Sequence, residues 1–252
     1  MIIKQIRNAT LKITYGCVNF LIDPWFQDQG TGFSAKAVKP EMQGIKCPMN
    51  KLPEPPAETL KGVDVCLVTH MHFDHFSSDY LPKDLKIIAQ NESDAKQIID
   101  MRFSNVDLFK ENQISIGNVI IHKIKAIHGD NELALSRMGE ACGYIFKSNN
   151  EKTLYLAGDT IYCNEVKQSI EKYYPDIIIL NCCEATTPIG RLIMNLDDVE
   201  KVCNESKNAM IVASHLDSVN HALVTRGDVR KFIKERELKQ VVIPDDGESI
   251  VI

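Results

Sequence analysis

Residues 65–76, Val-Cys-Leu-Val-Thr-His-Met-His-Phe-Asp-His-Phe, constrain this chain more than any other stretch. An apolar, β-branched run reads as a buried strand, and it leads directly into His70, His72, Asp74 and His75. Imidazole nitrogens and carboxylate oxygens suit zinc and similar divalent ions. His70 and His72 lie two apart, so an extended backbone sends both to one side. Asp74 and His75 follow as the chain turns and are able to face a neighbouring position. One loop could then serve two cations, provided other segments supply the remaining donors. A merely soluble turn would not need three of the chain's seven histidines.

The other donors are sought where strands end, because loops from different strands converge there. His128 follows the run Val119–Ile127 and precedes Gly129, Asp159 follows Leu154-Tyr155-Leu156-Ala157-Gly158, and His215 follows Met210–Ser214. Taken singly, each reads as an ordinary turn or surface residue. Taken with the histidine cluster, they complete a set of seven donors. His221 lies close to the same strand end as His215 and is better placed to contact substrate. Asn181, at the end of an apolar run, and Trp25, the only tryptophan, are further candidates for substrate contact. His122, in mid-strand, reads as structural.

The pattern around these residues is strand-rich at first and then alternates. Short β-type runs over 2–7, 10–14 and 18–22 precede Asp23-Pro24-Trp25, where proline ends the ladder. A Pro- and Gly-punctuated stretch to about Lys61 reads as a long loop shaping one wall of a site. Strand and helix signals alternate from residue 85 onwards, with Asn91 as a helix cap. A loop is expected after His128. This order predicts an α/β protein, two mixed sheets face to face with helices on the outer faces, in one domain over residues 1–252.

Size and charge narrow the function. A chain of 252 residues can bury a full core, and its net charge of −5 disfavours a phosphate backbone as partner. No apolar run reaches the length of a membrane span, and the N-terminus reads as a strand rather than a signal peptide. A cytoplasmic protein with a small-molecule substrate, and with neither nucleic acid nor membrane as partner, is expected. Self-association into a homo-oligomer stays open. Eight cysteines without an export signal read as reduced and mostly buried, with Cys182-Cys183 taken as packing.

The chain resembles the metallo-β-lactamase fold superfamily. The resemblance rests on His70-x-His72-x-Asp74-His75, His128, Asp159 within Ala-Gly-Asp-Thr, and His215, and it runs from Phe20–Pro24 to Val241–Pro244. Within the superfamily it looks closest to metal-dependent hydrolases grouped near L-ascorbate-6-phosphate lactonase and N-acyl-phosphatidylethanolamine phospholipase D. The resemblance implies a four-layer αβ/βα sandwich. It also implies a first metal on His70, His72 and His128, a second on Asp74, His75 and His215, and Asp159 between them. Two divalent cations are expected, zinc from the nitrogen-rich donors, with manganese or iron fitting the carboxylate share. Such a pair makes water nucleophilic near neutral pH, and Asp74 is the expected catalytic residue, orienting that nucleophile or passing its proton on. The expected reaction is hydrolysis of an ester, lactone or phosphodiester bond in a small molecule. An RNA nuclease of the same fold and a non-catalytic metal-holding protein stay open as alternatives.

Overall fold

The computed structural model describes residues 1–109 and 111–252. Its first strands are β1 (Ile2–Arg7), β2 (Thr10–Tyr15), β3 (Val18–Ile22), β4 (Val65–Leu67), β5 (Ile87–Ala89), β6 (Val106–Leu108), β7 (Gln113–Ile116) and β8 (Val119–Ala126). There follow β9 (Ala141–Lys147), β10 (Leu154–Leu156), β11 (Ile177–Asn181), β12 (Thr186–Thr187), β13 (Gly190–Arg191), β14 (Met210–Ser214), β15 (Val241–Val242) and β16 (Ser249–Val251). The helices are α1 (Pro56–Leu60), α2 (Glu92–Asp100), α3 (Glu132–Met138), α4 (Asn164–Tyr173), α5 (Leu196–Glu205) and α6 (Arg226–Glu235).

Two seven-stranded mixed sheets form, in the orders β16-β1-β2-β3-β4-β5-β6 and β15-β14-β11-β10-β9-β8-β7. The period-2 alternation of side chains explains why the central strands are apolar throughout. In β3, Phe20 and Ile22 join the apolar layer between the sheets, while Leu21 turns to the layer beneath α2. In β11, Ile177 and Ile179 face the partner sheet, whereas Ile178 and Leu180 pack with Val166 and Ile170 of α4 and Val199 and Val202 of α5. Three apolar layers therefore separate four layers of secondary structure, in agreement with the expected αβ/βα sandwich.

Local chemistry sets the element ends. Asn91, Asn131 and Asn195 cap α2, α3 and α5 by accepting from the backbone N–H three residues on, and Thr225 with Asp228 forms a capping box on α6. Two elements differ from the sequence reading. The proline-rich stretch contains α1, begun by Pro56 where a missing N–H is harmless. The segment after His128 is helix α3 rather than loop. Leu133 and Leu135 on that helix are exposed, so it lacks the apolar periodicity that would have announced it.

The parallel pairs β3–β4, β10–β11 and β11–β14 bring the carboxyl ends of these strands to one edge of both sheets. No helix among the described residues is long and apolar enough to cross a membrane.

Candidate metal centre

All seven donors proposed from the sequence meet at that edge, and six of them are buried, His72 alone reaching solvent with a minor part of its surface. The loop after β4 carries His70, His72, Asp74 and His75. His128 follows β8, Asp159 follows β10 and His215 follows β14. They form three overlapping groups: His70, His72 and His128; His70, His75 and Asp159; and Asp74, His75 and His215, each with donor atoms within 4.8 Å of one another.

Nε2 of His70 lies 2.9 Å and Nε2 of His128 lies 3.2 Å from Nδ1 of His72. Nε2 of His75 and Nε2 of His215 are 3.2 Å apart, with Asp74 Oδ2 3.2 Å from His215. Asp159 stands between the groups, its Oδ2 3.2 Å from His75 and 3.5 Å from His128, its Oδ1 3.9 Å from His215.

The hydrogen bonds on the far side of each ring settle where its proton sits. The Thr69 hydroxyl donates to Asp23 Oδ2 at 2.6 Å, so it accepts from Nδ1–H of His70 at 3.0 Å. His75 Nδ1–H donates to Asp23 Oδ2 at 2.8 Å, His128 Nδ1–H to the Leu192 carbonyl at 3.0 Å, and His72 Nε2–H to the Met138 carbonyl at 3.1 Å. Three rings, those of His70, His72 and His128, thus turn bare lone pairs inward, and His75 does so once its second proton is lost. Nε2 of His215 also points inward, 3.2 Å from the Asn8 amide nitrogen, which the Asp74 carbonyl fixes as a donor; burial opposes charge on this ring, but Cys183 and Asp159 outweigh it and raise it well above its usual value. Lone pairs and carboxylate oxygens packed at these distances repel one another unless positive charge lies among them. The donor chemistry fits divalent cations, with each imidazole oriented by a partner behind it.

The ionisation pattern agrees. Burial would raise both Asp74 and Asp159, but the neighbouring His75 and His215 hold both carboxyls well below the usual range. Burial opposes charge on His75, yet Asp159, Asp23 and Asp74 outweigh it and push this ring up to about 10. His72 goes the other way, lowered to about 4 by burial and by His128.

A cavity of about 240 Å³ opens over the donors. His72, Asp74, His128, Asp159 and His215 face it, and its walls are Phe33, Ala35, Phe73, Met138, Ala185, Thr187, Leu192 and His221. No lysine or arginine is among them. Among the described residues Nδ1 of His221 is buried without a hydrogen-bond partner, and burial lowers this ring, which leaves it neutral at pH 7.

Two of the expected substrate contacts are corrected. Trp25 is fully buried, donates from Nε1 to Gln27 Oε1 at 3.0 Å, and lies behind Phe33 at 6.0 Å between ring centroids. Phe33, not Trp25, meets the cavity. Asn181 does not line it either: its Nδ2 donates to Asp159 Oδ1 at 2.7 Å and orients that carboxylate. Cys183, read as packing, lies with its sulfur 3.4 Å from His215 Nδ1. Asp23, read only as the end of a strand, also accepts from the Thr69 N–H at 2.7 Å and so braces the histidine loop. A strand-end carboxylate two residues before the only tryptophan gave no signal of its own. Its left-handed backbone (φ 44°), shared with His215 (φ 63°), is unusual for residues other than glycine and clusters here at the site.

Comparison with known proteins gives one family model, the beta-lactamase superfamily domain, matching residues 18–216. The chain is 37% identical over 256 residues to the UPF0173 protein YddR of Bacillus subtilis, covering 99% of each chain. Among solved structures it is similar to the isothiocyanate hydrolase from Delia radicum gut bacteria (35% identity, TM-score 0.93, 100% of this chain and 99% of the other). It is also similar to a possible metal-dependent hydrolase from Veillonella parvula (32% identity, TM-score 0.94, 100% and 99%).

Proposed function

The chain belongs to the beta-lactamase superfamily and is a metal-dependent hydrolase, and we propose that it cleaves small uncharged electrophiles of the isothiocyanate type. The observation that carries this reading is the cavity of about 240 Å³, apolar in its walls and floored by both donor groups. Among the described residues the walls bring no basic side chain, so a charged phosphodiester would have only the cations to offset it and an apolar wall against the rest of it. A neutral R–N=C=S with a modest apolar R group suits them. The 35% identity to a protein described as an isothiocyanate hydrolase supports the same bond.

In this reading, residues 1–252 act as one hydrolase domain. His70, His72 and His128 would hold one cation and Asp74, His75 and His215 the second, with Asp159 placed between the two groups; the nitrogen share favours zinc. When bound, the cations supply the positive charge that acidifies water and stabilises the anion formed on attack. The chain does the rest. Phe33 and Phe73 hold R by apolar contact and exclude bulk water. Asp74 accepts the proton of the attacking water, and His221 orients the substrate from the opposite wall. Addition of water across C=N gives a thiocarbamate, and breaking its C–N bond releases the amine and carbonyl sulfide, so that R–N=C=S and H₂O become R–NH₂ and COS.

The test couples metal analysis to a turnover panel of allyl isothiocyanate, γ-butyrolactone, a nitrophenyl ester and a nitrophenyl phosphodiester. The expected result is amine release from the isothiocyanate, abolished by chelation and restored by zinc. A metal-replete protein that spares the isothiocyanate while opening the lactone or ester would overturn the assigned bond. Inertness towards the whole panel would overturn the reading.

A further inference from the structure

Asn8 occupies the two-residue turn between β1 and β2, where Arg7 pairs with Thr10. An asparagine in such a turn is ordinary, because it tolerates the left-handed backbone it adopts here (φ 54°). A turn former, however, normally leaves its side chain in water. This one is fully buried and lies against the second donor group. Its Nδ2 donates to the Asp74 carbonyl at 3.1 Å and to Asp74 Oδ2 at 3.2 Å, and lies 3.2 Å from His215 Nε2. Its own carbonyl oxygen on the main chain accepts from His215 N at 3.1 Å, from the Ser214 hydroxyl at 3.1 Å and from Gln5 Nε2 at 2.8 Å.

Two features of Asn8 work against stability: the left-handed backbone and a buried Oδ1 with no hydrogen-bond partner among the described residues. Both are accounted for if the other end of the amide has a task. Nδ2 carries two hydrogens and meets three acceptors. When His215 gives its Nε2 lone pair to a cation, two hydrogens remain for two oxygens, and both oxygens belong to Asp74. Main chain and carboxylate are then held by one group, which fixes the side-chain torsions of Asp74.

We infer that Asn8 is the positioning residue for Asp74: its amide sets Oδ2 beside His215 and leaves Oδ1 turned to the reacting molecule. Among the described residues no protein donor reaches Oδ1, and Asp74 lines the cavity. The inference rests on Asp74, His75 and His215 holding the second cation.

Asn8→Gly separates this task from the turn, since glycine accepts the left-handed backbone while the whole side chain, amide included, is removed. The metal-free proteins are loaded with cobalt(II), and stoichiometry and visible absorption are followed through a chelator titration; turnover of allyl isothiocyanate is measured alongside. The variant is expected to keep the first ion, to unfold at a somewhat lower temperature because the buried Asp74 carbonyl goes unmet, to hold the second ion roughly 10- to 100-fold more weakly, and to lose kcat by a similar factor with KM within about threefold. Two ions held as tightly as in the unaltered protein would overturn the inference alone. An unaltered protein that binds only one ion would overturn both the two-cation reading and this inference with it.

Discussion

The Asp23 carboxylate lies 2.8 Å from Nδ1 of His75, and the two side chains are almost wholly out of contact with water. The same carboxylate takes the N–H and the hydroxyl of Thr69, the residue on which His70 leans. Two of the seven donors, His75 directly and His70 through Thr69, thus depend on one acidic side chain that does not line the cavity.

Asp23→Asn would present an N–H to a neighbour that is itself a donor. One buried donor is left unmet, at a cost of about 1–3 kcal/mol, and His75 loses its brace. Zinc affinity, measured by competition with a chromophoric chelator, is expected to fall ~10- to 100-fold. Affinity equal to that of the unaltered protein would show that Asp23 serves the fold alone.

The metal-free protein should be most stable near pH 6.5. His75 is raised from 6.5 to about 10 in the folded state, so its contribution is full below 6.5 and is lost as pH climbs towards 10. His72, lowered to about 4, acts in the opposite sense: the unfolded ring takes up a proton below 6.5 while the folded one does not, so stability falls as pH drops from 6.5 to 4. A cation needs the unprotonated ring of His75, so the stabilisation gained on adding zinc should grow above pH 6.5. Thermal midpoints with chelator and with zinc, taken from pH 5 to 9, check both slopes. A zinc gain that shrinks over pH 6.5–9 would contradict the assignment of His75.

Gly158→Ala should be costly for a residue with no chemistry of its own. A Cβ there would come within 3.2 Å of the Cys142 carbonyl carbon and closer still to its oxygen, and the backbone is left-handed (φ 69°). Overpacking of this kind costs about 1–3 kcal/mol, and the displaced neighbour is Asp159. Chemical denaturation and metal content should both fall; an unaltered metal content would place Asp159 outside the centre.

Phe33→Ala should leave metal binding intact. Phe33 lies between Trp25 and Phe73, at 6.0 Å from each ring, and 6.3 Å from His221. Removing it forfeits roughly 1–2 kcal/mol of apolar contact with the substrate, about tenfold in KM. Steady-state kinetics with full metal occupancy decides this: a fall in kcat at constant KM would move Phe33 from binding to chemistry.

The donors were legible in the sequence because their chemistry is local. His70-x-His72-x-Asp74-His75 announces itself in six positions, and His128, Asp159 and His215 each follow an apolar, strand-like run. The sheets were legible for the same reason, since the alternation in Phe20-Leu21-Ile22 and the apolar run Ile177–Leu180 are read directly. What supports the donors was not. Asn8, Asp23, Asn181 and Cys183 act by contact across long sequence separations, and each carries an innocent local explanation as turn former, strand end or packing. Trp25 misled because composition marks a rare aromatic without saying which way it points. Helix α3 escaped because its leucines face outward.

The donors are divided between the two sheets, with the early loop supplying four and strand ends of the second sheet supplying His128, Asp159 and His215. Translation runs from the amino end, so a nascent chain displays its histidine cluster long before His215 leaves the ribosome. Until then the early loop can offer a passing ion only an incomplete grip. The full set of seven ligands therefore exists only after both sheets have been made and have met.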